Sequence, residues 1–228
     1  MKKLFSLFPM LLMGCLCFSQ NFDFKLDYEI TYLIPKSNDT VRIRVGNAGQ
    51  YLFTDSKTVT SSFRNSFRKF GGNNKNAIMS GKLFLDMSTN FMLMQMQIDN
   101  NTVWGHVDLT TFMNQNKSFD SKEETALVKK STSEIVTING TEYRVYEIAP
   151  ANKPDDILYA AFDDTYDLDY NTYFGKLFSA ALGEKFKVDI PNGALVYARD
   201  KDGNEQFRLL GIKEEQLTGT VDLNFTLE

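Results

Sequence analysis

Apolar side chains occupy every second position from Phe24 to Tyr32, with Lys25, Asp27, Glu29 and Thr31 between them. That alternation predicts a half-buried strand. Val41, Ile43 and Val45 alternate with Arg42 and Arg44 in a second strand, and Lys36-Ser37-Asn38-Asp39 makes the turn between the two. Gln50 to Thr54 reads as a short third strand. The period then changes. Val59, Phe63, Phe67 and Phe70 recur at spacings of four, four and three, and Lys57, Arg64, Arg68 and Lys69 lie off that stripe. This predicts an amphipathic helix of about fourteen residues, stopped by Gly71-Gly72.

Strands resume at Lys82 to Met87, Phe91 to Ile98 and Thr102 to Leu109, and the polar stretch from Asn114 to Glu124 reads as a loop. Asn139-Gly140 stands between two alternating segments, Glu134 to Ile138 and Thr141 to Ile148, which predicts a type I′ hairpin. After a strand at Ile157 to Phe162, the residues Tyr170, Tyr173, Phe174, Leu177, Phe178 and Ala181 follow helical spacing up to Gly183. A second hairpin joins Ala194 to Arg199 and Glu205 to Ile212 through Asp202-Gly203. Val221, Leu223 and Phe225 form a last alternating stretch. The tally is about ten or eleven strands and two helices, joined mostly by short turns, which favours an antiparallel sheet. The expected fold is α+β and β-rich: a single large curved antiparallel sheet, a half-barrel, with two amphipathic helices packed on one face.

The first residues break this pattern. Lys2 and Lys3 precede an apolar run from Leu4 to Met13, and Gly14, Cys15, Cys17 and Ser19 follow. This is the layout of a secretory signal peptide. The run is too short for a membrane-spanning helix, which needs roughly twenty apolar residues. The chain is therefore expected to consist of a cleaved leader, 1–19, and one domain, 20–228. That domain would be exported to the periplasm or secreted in soluble form. The alternative is a lipobox at Leu12-Met13-Gly14-Cys15, which would leave a lipoprotein anchored through Cys15. Cleavage after Ser19 removes both cysteines of the chain and with them disulfides, a thiol nucleophile and thiolate metal sites.

The remaining domain of roughly 210 residues can bury about 70% of its unfolded surface without disulfide support. The whole chain of 228 residues carries a formal net charge of −4, and losing Lys2 and Lys3 makes it more negative. A nucleic-acid partner is not expected from that balance.

Candidate chemistry is sparse. The one histidine, His106, shares a predicted strand face with Trp104 and Asp108, where Asp108 could orient it as a general base. An ordinary strand histidine explains the same pattern, and no strand-turn-helix context presents a serine nucleophile. Asp155, Asp156, Asp163, Asp164, Asp167 and Asp169 form the densest acidic region, and clustered carboxylates suit calcium. The region lacks the glycine and distal glutamate of an EF-hand loop, and acidic residues also suit the start of the helix that follows. Asp200 to Glu205 resembles the opening of a calcium loop but reads better as the hairpin turn. No catalytic residue, metal ligand or cofactor is assigned.

Phe91-Met92-Leu93-Met94-Gln95-Met96-Gln97-Ile98 has the most unusual local composition, with Met92, Met94 and Met96 on one strand face. Methionine adapts to varied apolar shapes, so the face suits either a lipid-binding surface or an irregular core under a helix. The aromatic helix faces carry the same two readings. Phe63, Phe67, Met92, Met94, Met96, Phe174 and Phe178 are the candidate ligand-lining residues.

The order of elements resembles the lipoprotein-carrier half-barrel superfamily, the fold of LolA and LolB, as found in exported domains of Gram-negative bacteria. The likeness rests on the hairpin Ile138-Asn139-Gly140-Thr141-Glu142-Tyr143-Arg144-Val145-Tyr146 and on Ile190-Pro191-Asn192-Gly193 ahead of the last strands. It spans roughly residues 22 to 228. Thr141 stands where the family hairpin often carries a cysteine, and no arginine or loop identifies a true lipoprotein carrier. The resemblance therefore implies a fold and an apolar concavity closed by helices, able to hold acyl chains. The expected function is a non-enzymatic binder of a lipid or other apolar ligand in the cell envelope. The alternatives are a structural or protein-interaction module without a small ligand and, third, a hydrolase of envelope polymers.

Overall fold

The computed structural model describes residues 20–60, 77–78, 81–98, 101–110, 126–182 and 186–223. Thirteen strands are present among them. They are β1 (Gln20–Ile34), β2 (Asp39–Gly46), β3 (Tyr51–Thr54), β4 (Ala77–Ile78), β5 (Leu83–Asp86), β6 (Phe91–Ile98) and β7 (Asn101–Asp108). The second half of the chain adds β8 (Ala126–Ile138), β9 (Thr141–Pro150), β10 (Leu158–Asp163), β11 (Lys187–Asp189), β12 (Ala194–Asp200) and β13 (Glu205–Leu223). One long helix, α1 (Tyr170–Leu182), interrupts the second half. A further helix begins at residues 57–60. The rest of its stripe, with Phe63, Phe67 and Phe70, lies outside the described residues, as do the leader and the polar loop from Asn114 to Glu124.

All thirteen strands belong to one open sheet in the order β11-β8-β9-β10-β12-β13-β1-β2-β3-β5-β6-β4, with β7 on the other side of β6. The chain is β-rich, as the alternation indicates, but three details differ from the sequence reading. The strand count is higher. One pairing, β11 with β8, is parallel rather than antiparallel. And β13 runs unbroken from the second hairpin into the final alternating stretch, as far as Leu223. Its period is lost where the β1–β13 register shifts, between Leu26 and Tyr28 and between Thr31 and Tyr32. A bulge moves the side chains to the other face, so the sequence looks interrupted while the ladder continues.

Local chemistry accounts for the turns. Asn139 and Gly140 both take positive φ, 53° and 83°, as a two-residue type I′ hairpin requires. The Asp200 carboxylate accepts hydrogen bonds from the amides of Asp202 and Asn204. Its second oxygen accepts from the Asn204 side chain. That arrangement fixes the β12–β13 turn.

Two faces of the sheet are packed differently. On the inner face, Ile30, Tyr32, Val45, Val145, Ala161, Leu168, Val196 and Leu209 form the largest buried cluster. Next to it, Leu83, Met87, Met92 and Met94 pack with Leu177 of α1. A third cluster joins Phe84 and Leu93 of the outer face to Val221, with Phe24, Tyr51 and Phe53 around them. The outer face also carries an ion network, in which Arg44 bridges Glu29 and Glu215.

Candidate functional site

The hairpins fix where the inner face ends. The turns at 35–38, 151–157 and 201–204 join β1 to β2, β9 to β10 and β12 to β13. Because these neighbours are antiparallel, the three turns share one rim of the sheet. Inner-face residues run from that rim toward α1, and between them lies a cavity of about 510 Å³. Ile30, Tyr32, Ile34, Val41, Ile43 and Val45 of the β1–β2 hairpin form one wall. Ile148, Leu158, Ala160, Phe162 and Leu195 form another, and Tyr170, Phe174 and Phe178 of α1 cover the space between. Leu158 and Phe207 line it close to the rim turns and stay 37% and 39% exposed, which marks the rim as its open side.

The far end is held by backbone. Leu168 and Gly49 line the cavity there. The Asp169 amide donates to the Ala48 carbonyl at 2.8 Å, and the Gly193 amide donates to the Leu168 carbonyl at 2.9 Å. Helix α1 starts at this end because Asp169 caps it, its carboxylate accepting from the Thr172 amide at 3.0 Å. Partial burial opposes ionisation of Asp169. Hydrogen bonds from Thr172, Asn192 and Asn171 outweigh it and hold the carboxyl below its ordinary pKa. Asn171 ties the same turn of the helix to the Ile190 amide and carbonyl. Farther along, Ser179 donates to the Phe186 carbonyl.

The lining is almost wholly hydrocarbon. Among the described residues its only side-chain heteroatoms are the phenol oxygens of Tyr32 and Tyr170. Burial pushes the Tyr170 phenol up to about 12, against a smaller downward pull from the Leu195 amide. Burial, reinforced by the neighbouring Tyr170, raises Tyr32 well above its ordinary value. Both rings are therefore neutral hydrogen-bond donors across the physiological range. Tyr170 lies deep in the molecule yet keeps accessible surface, because part of it faces the cavity.

The sequence-derived candidates separate in space. Phe174 and Phe178 line the cavity. Met92 and Met94 do not: both are 0% exposed and packed solidly beside it, under Leu177, and Leu52, Val59 and Phe174 touch both that cluster and the cavity. Of the two readings of the methionine face, its described part adopts the irregular core under a helix, because α1 lies directly on it. Phe63 and Phe67, and the side chain of Met96, lie outside the described residues. Periodicity missed the β1–β2 wall and the β9–β10 wall. Alternating residues mark a buried face, and nothing in their spacing separates a wall that is filled from one that leaves space.

His106 is exposed on the outer face, its ring 4.5 Å from that of Phe91. It pairs across from Leu93, on the opposite side of the sheet from the cavity. The Asp108 carboxylate beside it accepts from the Thr110 amide. Asp86, a buried carboxylate, accepts from Gln50, Ser88 and Thr89 and braces the β5–β6 turn. In the acidic segment, Asp163 accepts from the Tyr143 hydroxyl and from Thr165, and Asp169 is the helix cap. Among the described residues no group of three or more His, Cys, Asp or Glu side chains could hold a metal ion, and no helix is long and apolar enough to cross a membrane.

No family model and no curated protein matches the chain. Solved structures of PNGF-II in two crystal forms are similar at 9% and 10% identity, with TM-scores of 0.38 and 0.36. Each covers 86% of this chain, which spans less than a third of theirs, 29% and 28%. Likeness at that level carries no argument about function.

Proposed function

We propose that this protein is an exported, non-enzymatic binder of a lipid or other apolar ligand, held in the concave inner face of a half-barrel of the lipoprotein-carrier type. The observation that carries the reading is the apolar cavity between α1 and the inner face of the sheet. Its volume of about 510 Å³ falls within the roughly 300–1,000 Å³ of small-molecule sites. An acyl chain moving into it from water gains about 0.8 kcal/mol per methylene. Burying about ten methylenes would contribute on the order of 8 kcal/mol before the costs of immobilising the ligand. The described lining is hydrocarbon apart from the phenols of Tyr32 and Tyr170, a surface suited to burying an apolar ligand. Export rests on the leader at 1–19. Soluble and Cys15-anchored forms differ in intact mass.

The test is native mass spectrometry of protein purified from its host, together with titration of an environment-sensitive apolar fluorophore. A copurified lipid and saturable fluorescence enhancement are expected. Protein repeatedly free of ligand, with no enhancement, would overturn the reading in favour of an interaction module without a small ligand.

A further inference from the structure

We propose that the ligand of this cavity carries an uncharged oxygen acceptor, a carbonyl or a hydroxyl, held between the phenols of Tyr32 and Tyr170. The inference rests on the binding reading above and names the class of molecule it favours. Two observations support it independently of cavity size. First, the two phenols are the only side-chain polar groups among the described lining residues, so they are the side-chain donors that this wall offers a ligand. Second, both have hydrogen-bonding capacity left over. The Tyr170 oxygen accepts from the Leu195 amide at 3.3 Å, which leaves its proton to be donated. That amide sits beside the register shift between β10 and β12, at Phe162–Leu195. Tyr32 is 7% exposed, and among the described residues no acceptor takes its proton. The Tyr32 oxygen is not among the fully buried atoms that lack a partner, so it keeps open surface, and a ligand oxygen lying against the two rings would accept from both.

Charge narrows the class further. Among the described residues no cation lines the cavity, so a carboxylate or phosphate held against this lining would be desolvated without a counter-ion. A neutral ester, ketone or alcohol loses far less hydration and accepts the same two hydrogen bonds. The molecule expected is therefore a long hydrocarbon bearing a neutral oxygen, not a free fatty acid anion.

Displacement of the apolar fluorophore tests this with four competitors of equal chain length: an alkane, an alcohol, a methyl ester and a carboxylate at neutral pH. Each well-made hydrogen bond is worth about a five- to ten-fold change in affinity. The ester and alcohol should displace the probe at about five-fold or more lower concentration than the alkane, and the carboxylate should do no better than the alkane. Tyr32→Phe keeps the ring and its packing, and should cut the ester's advantage by about five- to ten-fold while leaving the alkane unchanged. Tyr170→Phe is the less clean variant, because it also strands the Leu195 amide. Competitors that displace the probe equally, or a Tyr32→Phe protein that prefers the ester as strongly as wild type does, would overturn the assignment while leaving apolar binding intact. A wild-type protein that never binds the fluorophore would overturn the binding reading and this one with it.

Discussion

Single residues at the closed end of the cavity set how firmly the helix is fastened. Asp169 caps α1 through the Thr172 amide, so Asp169→Ala should cost about 1 kcal/mol, read as a lower denaturant midpoint. Its carboxyl has a lowered pKa in the folded protein. The stability it adds is present above its unfolded value of about 3.9 and is lost as pH falls through the lower folded value. Acid titration of the midpoint should show that loss in wild type and lack it in the alanine variant. The tyrosines give the opposite sign. Tyr170 rises to about 12 when folded, from about 10 in the unfolded chain. Wild type should therefore lose stability between those two values as pH rises, and Tyr170→Phe should flatten that slope. Gly193 is constrained by space as well as by its φ of +107°. A Cβ there would sit 2.3 Å from the Asp163 carbonyl oxygen. Gly193→Ala should destabilise by about 3 kcal/mol, measured by chemical denaturation.

Elements show which parts of the architecture the chain announces and which it hides. Residues 24–32, 41–45 and the Asn139-Gly140 hairpin alternate cleanly and form the strands expected of them. The strands that were missed lack that signal for physical reasons. The first half of β8 carries exposed Lys129 and Lys130, and β11 is three residues long and held by parallel pairing to β8. Both are stabilised by neighbours distant in sequence. The methionine strand announces burial but not what it is buried against. Only the placement of Leu177 over Met92 and Met94 decides that they are packing. Met92→Ala should therefore cost about 2–5 kcal/mol in a denaturation experiment and change fluorophore affinity little. Ile43→Trp, which adds bulk to a cavity wall, should do the reverse: weaker probe binding with a midpoint close to wild type.

At the scale of the molecule, the sheet joins the two ends of the described chain. Gln20 lies opposite Leu223, and thirteen such pairs connect β1 to β13, while β1 also pairs with β2 along its other edge. The cavity is assembled from both halves, one wall from β1 and β2 and the other from β9, β10 and β12. Neither half can form it alone. This arrangement governs time as well as shape. Contacts between residues some two hundred positions apart make loop closure the slow part of folding, so the central pairing cannot be completed until almost the entire polypeptide is available. Refolding followed by tryptophan fluorescence should be slow, on the timescale of seconds or longer for a β-rich chain of this size. A chain ended before β13 should show no cooperative transition at all. Until that last strand docks the sheet lacks its central pairing, and a chain exported as proposed would have to cross the membrane in that unfinished state.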